Sequence, residues 1–93
     1  MKTVVVNKYN SEYDVDIQRG TVWGNPYFQY TRHKNIELFK KHFINLINDG
    51  TITKNMLLSL KGKRLGCTCY PKCCHGDVIA SFVNSINENM LDI

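Results

Sequence analysis

The densest chemistry in the chain lies in Gly66-Cys67-Thr68-Cys69-Tyr70-Pro71-Lys72-Cys73-Cys74-His75-Gly76-Asp77. All four cysteines fall within the eight residues from Cys67 to Cys74, and an imidazole follows directly. Side chains alternate along an extended strand, so Cys67 and Cys69 are expected to project to one face. A turn after Pro71 returns Cys74 and His75 to the same region just before a helix. Three thiols and an imidazole then converge, the donor set of a tetrahedral zinc site built from Cys67, Cys69, Cys74 and either Cys73 or His75. The spacing argues against zinc, because structural sites usually join two separated pairs of ligands and this is one cluster. In the plain structural alternative Cys67 and Cys69 are buried small apolar residues.

The same stretch also suits an anion. Gly76-Asp77-Val78 opens a helix whose unpaired N–H groups and positive dipole end favour negative charge, with Lys72 and His75 beside them. The competing reading of Asp77 is an ordinary first-turn cap. A thiol at a helix start has a lowered pKa, so Cys74 with His75 is also a candidate nucleophile, although no third, orienting residue can be assigned.

A second candidate is Arg19-Gly20-Thr21-Val22-Trp23-Gly24-Asn25-Pro26. Arg19 can pair a phosphate, Trp23 can stack on a ring, Asn25 can bond a ring edge, and Gly20 and Gly24 free the backbone between them. Its structural alternative is a tight turn with Trp23 plugging the core and Arg19 in a surface ion pair. Residues 54 to 76 carry Lys54, Lys61, Lys63, Arg64 and Lys72 with no acid among them, which reads as a solvated face that adds positive potential around the cysteines. There is no Gly-Lys-Ser/Thr phosphate loop and no Gly-x-Gly-x-x-Gly fingerprint. The zinc deaminase pattern fails too, since Pro71 is followed by Lys72 and the last two cysteines are adjacent.

The elements that must position these groups are short. Thr3 to Asn7 is a β-branched run that reads as a buried strand. Tyr13, Val15 and Ile17 alternate with Asp14, Asp16 and Gln18 as an edge strand. From Thr31 or His33 to Asp49, Ile36, Phe39, Phe43, Ile44, Leu46 and Ile47 recur at helical spacing, and Gly50 stops them. Thr53 caps a short helix through Met56, Leu57 and Leu60, closed by Gly62. Lys63 to Cys69 reads as a strand ended by Pro71, and Asp77 to Asn87 as the last helix. The order β, β, loop, α, α, β, loop, α predicts a single α/β domain over residues 1–93, with a short mixed sheet flanked by helices.

Length and composition agree with that. Ninety-three residues, 43% apolar and 22% charged, make one soluble globular unit with a small core. The net charge of +4 leans toward anionic partners. No apolar run is long enough to span a bilayer, and the start has no secretory pattern, so a cytoplasmic location and no membrane partner are expected, the host cytoplasm if the chain is phage-encoded.

At the two loops the chain resembles the DUF4326 family of small bacterial and phage proteins. Their Arg-Gly-Ser-Pro-Trp-Gly-Asn-Pro-Phe loop is matched by Arg19 to Tyr27, and their Gly-Lys-x-Leu-x-Cys-x-Cys-x-Pro-x-x-Cys-His-Gly-Asp stretch by Gly62 to Asp77. Val5-Val6-Asn7-Lys8 is similar to the family's opening. Val22 stands in place of a proline, Tyr27 of a phenylalanine, Thr68 of a common aromatic and Cys73 of a frequent proline, which makes Cys73 the weakest candidate ligand. The resemblance implies that Arg19, Trp23, Asn25, Cys67, Cys69, Cys74, His75 and Asp77 share one pocket at an end of the sheet.

The expected site is therefore Arg19, Gly20, Trp23, Gly24, Asn25, Cys67, Cys69, Lys72, Cys74, His75, Gly76 and Asp77. Its expected ligand is a nucleotide or an ADP-ribose-like phosphorylated molecule, bound without turnover. The phage membership of the family suggests capture of a host immune nucleotide signal. No cofactor is expected, zinc on Cys67, Cys69, Cys74 and His75 being the alternative. Rival readings are an enzyme acting on a nucleotide or ADP-ribose bond, and a zinc-stabilised adaptor for nucleic acid or protein. A homodimer is compatible with either.

Overall fold

Short β-branched runs become strands and longer stretches with apolar residues three and four apart become helices, giving β1 (Val4–Asn7), β2 (Val15–Asp16), α1 (Arg32–Asn48), α2 (Lys54–Ser59), β3 (Arg64–Cys67) and α3 (His75–Ser85). The computed structural model describes residues 2–70, 72 and 74–86. The strand order is β1-β3-β2, with β3 parallel to both neighbours. The α/β class expected from the sequence holds, but both described strand pairs are parallel rather than mixed. The reason is the connection between β1 and β2. It is too short to hold a helix, yet it returns to the starting end of the sheet: Lys8 N–H donates to Cys67 O at one end and Asp14 N–H to Arg64 O at the other. β2 therefore starts again in the same direction as β1, on the far side of β3.

Parallel register sorts the side chains. Val5 and Val15 both lie opposite Leu65, while Val6 and Asp16 lie opposite Gly66. One face thus carries Val5, Leu65 and Val15 toward the helices, and Gly66 belongs to the other face. A Cβ on Gly66 would sit 2.7 Å from Cγ of Tyr13, so the bare glycine is what lets the returning segment lay its ring across the central strand. On the helical side α3 packs against β1 and β3, and α1 against α3. Phe39 and Phe43 stack at 5.7 Å, and Phe43 meets Phe82 edge-on at 5.5 Å. Burying each such side chain is worth roughly 1.5–3 kcal/mol.

The helix ends follow their caps. Thr31 Oγ1 accepts from Lys34 N–H at the start of α1, and Gly50 takes a positive φ of 87° just past its end. Thr53 Oγ1 accepts from Met56 N–H to begin α2. Buried Thr3 joins three elements: its hydroxyl donates to Leu60 O and accepts from Gly62 N–H, and its backbone exchanges two hydrogen bonds with the Asn84 amide. Several expected boundaries move, β2 among them, which is confined to Val15–Asp16. β3 stops at Cys67 and the chain bends at Thr68, so alternation does not relate Cys67 to Cys69. α3 begins at His75, because Cys74 rather than a later residue is its cap. α3 ends at Ser85, short of the expected Asn87, because Ile86 is already extended, with ψ 127°; Pro71, the expected strand stop, lies outside the described residues. Among the described residues no helix is long and apolar enough to cross a membrane.

Arg64 grips Asp14 through a two-pronged guanidinium contact, Nε to Oδ2 at 3.1 Å and an Nη to Oδ1 at 3.0 Å, and its backbone N–H donates to the same carboxylate. These hydrogen bonds, the side-chain ones first, pull the Asp14 carboxyl down to about 2. A depressed carboxylate contributes stability above its ordinary titration range and loses it as the pH falls through the folded value. Asp14→Asn is therefore expected to lower the urea midpoint at neutral pH and to flatten the acid limb between the ordinary carboxylate range and pH about 2. An identical acid slope in both proteins would remove Asp14 from this role.

Candidate functional site

Three parallel strands end at the same edge, so Asn7, Ile17 and Cys67 deliver their following loops to one side of the molecule. That is where parallel α/β sheets place ligands. The loop after β2 and the cysteine loop after β3 meet there around a cleft of about 580 Å³ lined by Arg19, Asn25, Cys67, Cys69, Cys74 and His75, together with Gln18, Tyr27, Phe28, Tyr30, Arg32, Asn35, Ile36 and Thr68. Its size lies within the usual range for small-molecule sites, roughly 300–1,000 Å³. No Asp or Glu is among these lining residues, while two arginines are.

The first loop is shaped by close packing. Gly24 folds back so tightly that a Cβ there would lie 2.5 Å from Gln18 O and 2.8 Å from Arg19 Cα, and Gly20 holds a φ of 99° that other residues rarely adopt. Asn25 then works as a clamp. Its amide donates to Asn35 O and accepts from Tyr27 N–H, and Asn35 in turn exchanges hydrogen bonds with both backbone groups of Tyr30. The segment from Asn25 to Tyr30 is thereby tied to the start of α1, which presents Phe28 and Tyr30, 62% and 55% exposed, at the cleft. The Arg19 guanidinium lies 4.5 Å from the centre of the Phe28 ring, a cation–π contact that steadies it without consuming its charge.

The second loop is held from within. Cys67 and Cys74 are both buried free thiols with their sulfurs 3.3 Å apart. Cys74 Sγ accepts from Gly76 N–H, and the Asp77 carboxylate accepts from Cys74 N–H, so the two residues cap α3 reciprocally. Burial first, then the neighbouring Cys67, pushes the Cys74 thiol up to about 12. This reverses the lowered pKa expected of a thiol at a helix start: desolvation outweighs the helix dipole, and Cys74 is a neutral thiol. His75 Nε2 lies 2.6 Å from Ile17 O, linking the two loops across the cleft.

The remaining expected residues stand elsewhere. Trp23 is only 7% exposed, packs in the core and is not among the residues lining the cleft. Gly20, Gly24, Lys72, Gly76 and Asp77 do not line it either. Gly76 is buried against Ile17 and Val5, where a Cβ would come within 2.7 Å of Ile17 Cδ1. Cys73 lies outside the described residues. Among the described residues no group of three or more His, Cys, Asp or Glu side chains is arranged to hold a metal ion, so Cys67, Cys69, Cys74 and His75 are not gathered as a zinc set. The aromatic lining residues Tyr27, Phe28 and Tyr30 are not among the expected site residues. Their signal was Tyr27-Phe28-Gln29-Tyr30, an aromatic-rich run in a loop directly after Pro26.

Fold and site together define a small α/β domain with a cationic, aromatic-walled cleft at the carboxyl edge of a parallel sheet. The chain belongs to the DUF4326 family, described as a domain of unknown function, whose profile matches residues 4–85. It is 57% identical over 84 residues to the uncharacterized 12.4 kDa protein in the nrdA-td intergenic region of Enterobacteria phage T4, covering 88% of this chain and 78% of that one. No solved structure matches the chain.

Because Trp23 fills the core, Trp23→Ala is expected to cost about 3–5 kcal/mol of unfolding free energy, read from urea denaturation. A loss below about 1 kcal/mol, the scale of an ordinary surface change, would contradict this placement.

Proposed function

We propose that this domain binds a small, anionic, ring-bearing molecule of the nucleotide or ADP-ribose class in the cleft. The observation that carries the reading is the lining: Arg19, no Asp or Glu among the lining residues, and the rings of Tyr27, Phe28 and Tyr30. Guanidinium groups pair phosphate oxygens, and aromatic faces stack on bases. Cys74, which lines the cleft, is a neutral thiol, and Asp77, outside the lining, is spent on the cap of α3. That supports holding the ligand over converting it. In its finer form, the proposal is that the ligand is a nucleotide signal of an infected cell, captured so that it no longer acts. The small size of the domain and its likeness to a phage T4 protein support that form.

The test is calorimetry with ADP-ribose, ADP and AMP, followed by mass spectrometry of the ligand recovered after denaturation. One ligand per chain, returned chemically unchanged, is expected. Arg19→Ala should keep the circular dichroism spectrum and weaken binding roughly tenfold to a hundredfold, the scale of a lost charge-assisted contact. Equal affinity in the variant would put the phosphate site elsewhere, and a converted ligand would replace capture by catalysis.

A further inference from the structure

His75 has one ring nitrogen committed and the other bare. A carbonyl oxygen only accepts, so the 2.6 Å contact with Ile17 O means that Nε2 carries a hydrogen. The ring also stands edge-on to Phe39, with centroids 5.0 Å apart and planes at 69°. A hydrogen bond on one side and a ring contact on another fix the imidazole in place at the first position of α3. Burial lowers its pKa, against smaller opposing pulls from the Ile17 carbonyl and Asp77, so the second proton is disfavoured.

Nδ1 is then a lone pair. No described residue hydrogen-bonds to it, and among the described residues no sealed side-chain nitrogen or oxygen lacks a partner, so Nδ1 is reachable by solvent. His75 is itself one of the residues that line the cleft. The other acceptors on the lining amides are engaged: Asn25 Oδ1 by Tyr27 N–H, Asn35 Oδ1 by Tyr30 N–H, and Gln18 Oε1 by Lys8 at 3.5 Å. The arginines only donate.

We infer that His75 is a specificity-determining acceptor of the cleft, and that the bound molecule presents an O–H or N–H donor to its Nδ1. The inference rests on the proposed binding of a nucleotide-class ligand and narrows it: besides phosphate and ring, the ligand needs a donor at the thiol end of the cleft. A ribose hydroxyl and the exocyclic amine of adenine both supply that chemistry. A cationic imidazole or the opposite tautomer would instead select an acceptor.

The experiment is long-range proton–nitrogen correlation NMR on the full chain labelled at histidine nitrogen, first free and then with ADP-ribose, ADP, inosine diphosphate and 2′,3′-dideoxy-ADP. In the free protein His75 is expected to be the neutral Nε2–H tautomer. A cation or an Nδ1–H tautomer overturns the inference whatever binds. With ADP-ribose or ADP bound, the Nδ1 resonance should move as it accepts a hydrogen bond. Loss of that movement with inosine diphosphate assigns the donor to the base amine, and loss with the dideoxy compound assigns it to the sugar. Binding with Nδ1 unmoved throughout overturns the inference and leaves nucleotide binding standing. Absence of binding by every probe removes both.

Two variants give an independent readout. His75→Gln places an amide nitrogen where Nε2 stood, able to donate to Ile17 O, and removes Nδ1. It should weaken ADP-ribose binding roughly threefold to tenfold, as for one neutral hydrogen bond. His75→Asn puts an oxygen near the Nδ1 position and should bind more tightly than His75→Gln. The reverse order in folded variants counts against the acceptor role.

Discussion

Everything in the architecture depends on β3 being paired in parallel along both of its edges. A strand hydrogen-bonded on two sides fixes two neighbours in direction as well as position. With β1 and β2 both parallel to it, the chain following each strand emerges at the same edge of the sheet. The cleft is a consequence of that alignment. The loop after β2 and the loop after β3 have no long-range reason to meet other than that their strands end side by side, and the contact of His75 with Ile17 O then closes the join. Gly66 makes the arrangement feasible, because a side chain there would collide with Tyr13 on the returning segment.

Within the cleft, the Arg19 charge and the Cys74 thiol differ in their burial. Arg19 is exposed and faces an exposed ring, where its charge stays solvated and available. Cys67 and Cys74 are both shielded, and for Cys74 the loss of water favours the neutral form. At the start of α3 the Cys74 sulfur accepts from Gly76 N–H, and the Asp77 carboxylate accepts from the N–H of the cap residue Cys74.

Local periodicity made much of this visible in the sequence. The long helix with Phe39 and Phe43 on its buried side, the Thr53 cap and the strand positions of Val5 and Leu65 all follow from spacing and cap chemistry, which are short-range properties. The two loop motifs were also legible as parts of one region. What spacing did not disclose was how individual residues divide between scaffold and surface. Trp23 and Asn25 sit two apart in one motif, yet one fills the core and the other ties a loop to α1. That division depends on which side the turn at Gly24 presents, a matter of tertiary contact. The bend at Thr68 similarly took Cys69 out of the alternating pattern that a longer strand would have imposed. The Cys74 thiol went the opposite way from its local expectation because desolvation is set by the packed neighbours and not by the helix that follows.

The placement of β3 has a bearing on how the molecule is assembled. Its pairing partners lie far upstream, Val4 opposite Arg64 and Val15 opposite Leu65, and β1 and β2 do not pair with each other. An emerging polypeptide consequently has no sheet until the central strand has been synthesised, and its first third must wait with unpaired backbone while the helical middle is made. Domains dominated by such distant contacts pass a slow, entropically costly step before any sheet is rewarded. In this chain the sheet is complete only with the four-residue β3 between β1 and β2, and the loops that line the cleft follow strands of that sheet.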